Sequence, residues 1–203
     1  MKRAKNRRQR TITILFCAGL SILLLGMIAC SQILKQSDSE KVEGQNEFQL
    51  SYNITQRKRD KKDIEYIVIH DTNNKDAGAD AKSNYHYFNT GDRRSSADYF
   101  VDENGVLQVN DFYRYYTWHC GDGSGKNKIT NQNSIGIEIC VNKDGNYKKA
   151  VEHTVELTKE LMQELSIDKD HVVRHFDASG KECPMSMSDK DWKKWSEFKK
   201  KLG

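Results

Sequence analysis

The chain has 203 residues, 36% of them hydrophobic, with 33 Lys and Arg against 29 Asp and Glu and a formal net charge of +4. That length supports one domain with one sizeable core. Six of the basic residues crowd into positions 1–10, which hold no acid, so residues 11–203 carry 27 basic against 29 acidic side chains, a net of −2. The main body therefore lacks the clustered cationic footprint that a nucleic-acid partner requires, and none is expected.

Residues 1–10 read as a basic segment held on the cytoplasmic side. The run that follows, 11–29 (TITILFCAGLSILLLGMIA), has no charge in 19 residues, the pattern of an export signal or a membrane anchor. As a helix rising about 1.5 Å per residue it spans roughly 28 Å, close to a hydrocarbon core of about 30 Å. Met27-Ile-Ala-Cys30 also resembles the lipobox of bacterial lipoproteins, in which the cysteine is lipidated, although Leu is the usual residue three before it. Residues 11–30 are thus either a retained transmembrane anchor or a lipoprotein signal, and both readings put everything after residue 30 outside the membrane. Residues 31–47 are polar and read as a solvated tether. The folded unit is expected over 48–203, without repeats or a second linker.

Within that unit, 64–70 is a short apolar run rich in β-branched residues, expected to be a strand buried on both faces. A helix is expected over 79–89, stopped by Thr90-Gly91, and a hairpin over 97–110 turning at Asn104-Gly105. Residues 134–141 (SIGIEICV) alternate, so that Ile135, Ile137, Ile139 and Val141 share one face and Gly136, Glu138 and Cys140 the other. Over 150–165 the apolar residues Val151, Val155, Leu161, Met162 and Leu165 recur at helical spacing. A last helix over 190–202 carries Trp192, Trp195, Phe198 and Leu202 on one side, with Ser188 and Asp191 as its expected capping pair.

The chemistry concentrates in few places. His175 and Cys183 are separated by seven residues of a polar, glycine-bearing loop, and His70 ends the first apolar run about a hundred residues upstream. Two His and one Cys make a three-ligand zinc set with a position left for water, whereas a closed structural site takes four ligands, usually from local pairs such as CxxC, which this chain lacks. Cys120 and Cys140 remain, either as a disulfide or as two free thiols.

A strand ending in His70, the motif Asn133-Ser-Ile-Gly-Ile-Glu138, the Trp118-His119-Cys-Gly121 turn and His175…Lys181-x-Cys183-Pro184 occur in an order that resembles the zinc-dependent type 2 N-acetylmuramoyl-L-alanine amidases and peptidoglycan recognition proteins, phage endolysins among them. The resemblance runs from about residue 50 to the C-terminus. It implies a single α/β domain, a central mixed sheet flanked by helices, with a zinc groove at one side of the sheet. It implies that His70, His175 and Cys183 hold Zn²⁺, that Glu138 transfers protons and that Lys181 stabilises the oxyanion of the tetrahedral intermediate. Thr72, His119 and Asp98 are expected along the substrate cleft, His119 as a substrate contact or a support for a ligand, with a structural turn as its alternative. A tyrosine that some members use before the hairpin is missing, since Ala97 stands in that slot. His86, His153 and His171 are expected to be surface or packing histidines.

The implied reaction is hydrolysis of the amide between N-acetylmuramic acid and L-alanine of peptidoglycan, by a membrane-held protein on the cell-wall side of a bacterium. No oligomeric state is specified. Two rivals stand against this: a peptidoglycan-binding module without turnover, which would tend to lack the cysteine ligand, and a Cys-His peptidase, against which Pro184 and the second histidine, His70 at a strand end, argue.

Overall fold

Seven strands and four α-helices make up the described residues, 48–203 apart from 52, 53 and 126, of a computed structural model. The expected basic segment, anchor and tether lie outside the described residues. Among the described residues no helix is long and apolar enough to cross a membrane. The elements are β1 (Ile54–Lys58), β2 (Tyr66–Asp71), α1 (Ala81–Phe88), β3 (Tyr99–Asp102), β4 (Gly105–Gln108), β5 (Tyr115–Thr117), β6 (Ser134–Ile139), α2 (Tyr147–Leu165), β7 (Val172–Arg174), α3 (His175–Ser179) and α4 (Lys193–Lys201).

Five strands form the central sheet in the order β4-β3-β6-β2-β7. The β3–β4 hairpin is antiparallel and every other pairing is parallel, so the sheet is mixed, as expected. Strands β1 and β5 form a separate antiparallel pair, which no local pattern announces. Register places Ile67 beside Ile135, Ile69 beside Ile137, and His70 beside Glu138. Because side chains alternate along a strand, these pairings sort the sheet into two faces. Ile67, Ile69, Ile135, Ile137 and Ile139 are fully buried in one cluster with α2 and α4. Each contributes about 1.5–3 kcal/mol by leaving water, which makes this face the main anchor of the fold.

Helix α2 starts on Asn146, whose side chain accepts from the Lys149 N–H. It buries Val155 and Leu161 as expected, along with Ala150 and Leu157, while Val151, Met162 and Leu165 pack at the rim. Thr154 and Thr158 are fully buried too, each hydroxyl donating back to the carbonyl four residues earlier, at 2.7 and 2.6 Å. The start of α4 differs from expectation. Asp191 and Trp192 sit in the left-handed region, and Asp189 Oδ1 accepts from the Lys194 N–H at 2.9 Å in place of a Ser188–Asp191 pair. The Ser188 hydroxyl turns instead to Glu182 and the Met185 carbonyl.

On the opposite face α1 lays Ala81 and Tyr85 against Phe100, Leu50 and Cys140. A smaller cluster of Val68, Cys120, Ile129 and Ala178 continues that face toward β7. Strands β2 and β6 run parallel, so their carboxyl ends open together, and it is there that ligands bind in open α/β sheets.

Candidate metal centre

Alternation along β2 sends Ile67 and Ile69 to the isoleucine face and His70 to the other, where it is 1% exposed. His175 follows β7 directly as the first residue of α3. Arg174 and Asp177 lock that start: the carboxylate accepts from the Arg174 backbone N–H at 2.9 Å and from its guanidinium at 2.6 Å, while the guanidinium stacks 4.3 Å from Trp192. One turn later Gly180, at φ 81, takes a left-handed conformation open to glycine and reverses the chain. The Phe176 N–H then meets the Cys183 carbonyl at 3.1 Å, so the loop folds its cysteine back beside the histidine.

The donor atoms of His70, His175 and Cys183 all lie within 4.8 Å of one another, and all three residues are buried. His70 Nδ1 is 3.7 Å from Cys183 Sγ, and the two imidazole rings are 4.7 Å apart at 68°. Zinc bonds of about 2.0–2.3 Å in a tetrahedron hold neighbouring donors about 3.3–3.8 Å apart, so the cluster is on the scale of one ion. His175 Nδ1 is sealed from solvent with no hydrogen-bond partner, a polar atom that a metal bond would satisfy. Burial, with the Lys181 charge adding to it, pulls the His175 pKa down to about 4, and burial together with His119, His175 and Lys181 holds His70 well below the ordinary histidine range. Both imidazoles are therefore neutral near pH 7, the form that binds metal. The Cys183 thiol is pushed up to about 12, first by burial and then by the Glu138 carboxylate.

Glu138 stands beside His70 on β6. The residue is half-buried overall, yet its Oε2 is sealed and unpartnered, and burial followed by the Asp71 charge raises its pKa well above the carboxylate range against the pull of Lys181. Lys181 itself is exposed, and its charge is felt at Glu138, His70, His175 and Cys183. Thr72 continues β2, its N–H donating to the Ile139 carbonyl at 3.0 Å, and its hydroxyl is sealed without a partner.

Two residues expected along the cleft, Asp98 and His119, are buried. Asp98 is fully buried, with its carboxylate accepting from Asn110 Nδ2 at 2.6 Å, Thr117 Oγ1 at 3.1 Å and the Gly136 N–H at 2.8 Å. It faces the buried Arg59, whose guanidinium donates to the carbonyls of Phe112, Asn131, Gln132 and Ser134. Asp98 is thus a structural node, fully buried among its donors. His119 is 8% exposed and lies against the second ring nitrogen of His70. Its turn is shaped by Asn131, whose Oδ1 accepts the backbone N–H groups of His119, Cys120 and Gly121. The open alternative for Cys120 and Cys140 resolves to two free, buried thiols, one beside Ser134 Oγ and the other beside Asn84 Nδ2. The sequence alone does not single out Asn131, Arg59 or Asp177, since a lone polar residue in a loop gives no periodic signal.

Two imidazoles, a thiol, a sealed carboxylate and a nearby ammonium at the carboxyl end of a parallel sheet define a candidate metallo-hydrolase centre. Over residues 60–186, a span that includes all five groups, the chain matches the family described as N-acetylmuramoyl-L-alanine amidase, and it belongs to that family. It is 39% identical over 141 residues to the N-acetylmuramoyl-L-alanine amidase XlyA of Bacillus subtilis strain 168, covering 68% of this chain and 44% of the relative. It is 38% identical over 133 residues to CwlH, an amidase of the same strain, covering 66% of this chain and 50% of the relative. The chain thus spans half or less of the length of these curated relatives. Its fold is similar to the solved catalytic domain of XlyA, with a TM-score of 0.66 and 35% identity over 77% of this chain and 95% of that one. PlyL is also similar, with a TM-score of 0.61 and 30% identity over 74% and 88% of the two chains.

Proposed function

We propose that the protein hydrolyses the amide bond between N-acetylmuramic acid and L-alanine of peptidoglycan, with Zn²⁺ held by His70, His175 and Cys183. The observation that carries this reading is the meeting of those three donors, from β2, α3 and the loop after it, within 4.8 Å. The names of the relatives support the choice of bond. When bound, zinc supplies Lewis acidity that polarises a carbonyl and lowers the pKa of water to about 7. Glu138, ionised above its raised pKa, takes the proton of the attacking water and hands it to the departing L-alanine nitrogen as the carbon–nitrogen bond breaks. The Lys181 ammonium faces the negative charge that develops on the carbonyl oxygen, an interaction made mainly in the transition state. Thr72, half-buried and just past the carboxyl end of β2, is the substrate contact in this scheme. Held by residues 11–30, as a single-pass anchor or through a lipid on Cys30, the catalytic unit would face the cell wall. The uncharged run behind a basic segment supports that placement.

Digestion of purified peptidoglycan by the full chain, with zinc and after chelation, tests the proposal by mass analysis of the fragments. Zinc-dependent release of stem peptides bearing free L-alanine amino ends is expected. Fragments in which muramoyl sugars keep their peptide, binding without cleavage, or full activity after chelation would overturn it.

A further inference from the structure

The ring of His70 has two nitrogens, and the groups behind it determine which one carries the proton. His70 Nε2 is 3.0 Å from His119 Nδ1, and His119 Nε2 is 3.2 Å from Ser134 Oγ, which lies 2.5 Å from the Thr130 carbonyl oxygen. This chain has one consistent direction. A carbonyl only accepts, so the Ser134 hydroxyl donates its single proton to Thr130, and Ser134 Oγ must accept from His119 Nε2–H. In a neutral imidazole only one nitrogen carries a proton, so with that proton on His119 Nε2 its Nδ1 is a lone pair. That lone pair accepts from His70 Nε2–H. The proton is thereby kept off His70 Nδ1, the nitrogen 3.7 Å from Cys183 Sγ.

We propose that His119 is a positioning residue that fixes the tautomer and ring orientation of His70, presenting Nδ1 to the metal, and that Gly136 is the position that admits it. A Cβ at residue 136 would lie 2.6 Å from His119 Cγ and 2.8 Å from its Nδ1, inside any real carbon contact. Gly136 is itself held on both sides, its N–H donating to the Asp98 carboxylate at 2.8 Å and its carbonyl accepting the Asp98 N–H at 3.0 Å. The buried node around Asp98 thus sets the floor on which His119 rests. This assignment rests on His70 being a metal ligand, but the proton position can be read without any metal.

Two measurements on the full chain test it. Nitrogen-15 NMR of histidine-labelled, metal-free protein is expected to find the ring protons of His70 and His119 both on Nε2. Zinc affinity, measured by chelator competition, is expected to fall about ten- to hundredfold in His119→Phe, the range seen when the outer partner of a ligating histidine is lost. It is expected to recover most of that loss in His119→Asn, whose Oδ1 accepts where Nδ1 did. A proton on His70 Nδ1 in the metal-free chain, or wild-type zinc affinity in His119→Phe, would overturn the proposal. If the Phe variant fails to fold, the wild-type proton positions and the Asn variant decide. A wild type that shows both Nε2 protons yet binds no zinc would overturn the metal-site reading itself.

Discussion

Replacing Glu138 by Gln keeps the shape of the side chain and removes its ability to carry a proton. The residue lies beside His70 in register, with Oε2 sealed and unpartnered. A positioned acid or base of this kind is worth about 10²–10⁴-fold in rate, which at about 1.36 kcal/mol per factor of ten is about 2.7–5.4 kcal/mol of transition-state stabilisation. The same substitution is expected to help folding. Burial raises the Glu138 pKa above its unfolded value, so between those two values the native state holds a proton that the unfolded chain has lost. Wild-type stability therefore falls as pH rises through that window, while the Gln variant has no such slope. Release of free amino ends from peptidoglycan gives the rate, and urea unfolding of the metal-free proteins at a series of pH values gives the stabilities. Activity within about tenfold of wild type, or stability profiles that run parallel with pH, would refute the reasoning.

Lys181→Ala is expected to lower kcat about 10²–10³-fold with KM little changed, because the ammonium acts on charge that exists only in the transition state; a change confined to KM would place the residue in ground-state binding. Zinc uptake at pH 6 in the Glu138→Gln background is expected to release about one proton per ion, since the Cys183 thiol is pushed up to about 12 while His70 and His175 are already neutral. Calorimetry in buffers of different ionisation heat measures it, and Cys183→Ala should abolish it. Asp98→Ala is expected to destabilise the fold by about 3–5 kcal/mol, as it leaves the buried donors of Asn110, Thr117 and Gly136 without their acceptor. Denaturant midpoints read that loss, and an unchanged KM in the folded protein would accord with a buried, structural Asp98.

The candidate metal cluster is legible in the chain because ligand chemistry is written in residue type. A His and a Cys bracketing a glycine-bearing loop can close on one ion locally, and Gly180 supplies the reversal. The alternation of 134–139 is equally plain, and by itself it puts Glu138 on the face away from the isoleucines. Asp98 escapes such a reading for the opposite reason. A carboxylate next to a strand gives no sign of whether Asn110, Thr117 and Gly136 will converge on it. The cap of α4 falls on Asp189 and not on Ser188 because a left-handed kink at Asp191 and Trp192 shifts which oxygen meets the first free N–H.

Local periodicity and the chemistry of single side chains thus determined the strands β2 and β6, the helices α2 and α4, the three candidate ligands and the face on which Glu138 stands, while the proton-transfer role proposed for Glu138 came from the family resemblance. Tertiary structure alone decided the pairing of β1 with β5, the free state of Cys120 and Cys140, the burial of Asp98 and the seating of His119 over Gly136. These depend on contacts between residues far apart in sequence, 49 positions in the case of His70 and His119. Such contacts leave no period in the chain, since which distant groups meet is set by how the whole sheet and its covering loops pack.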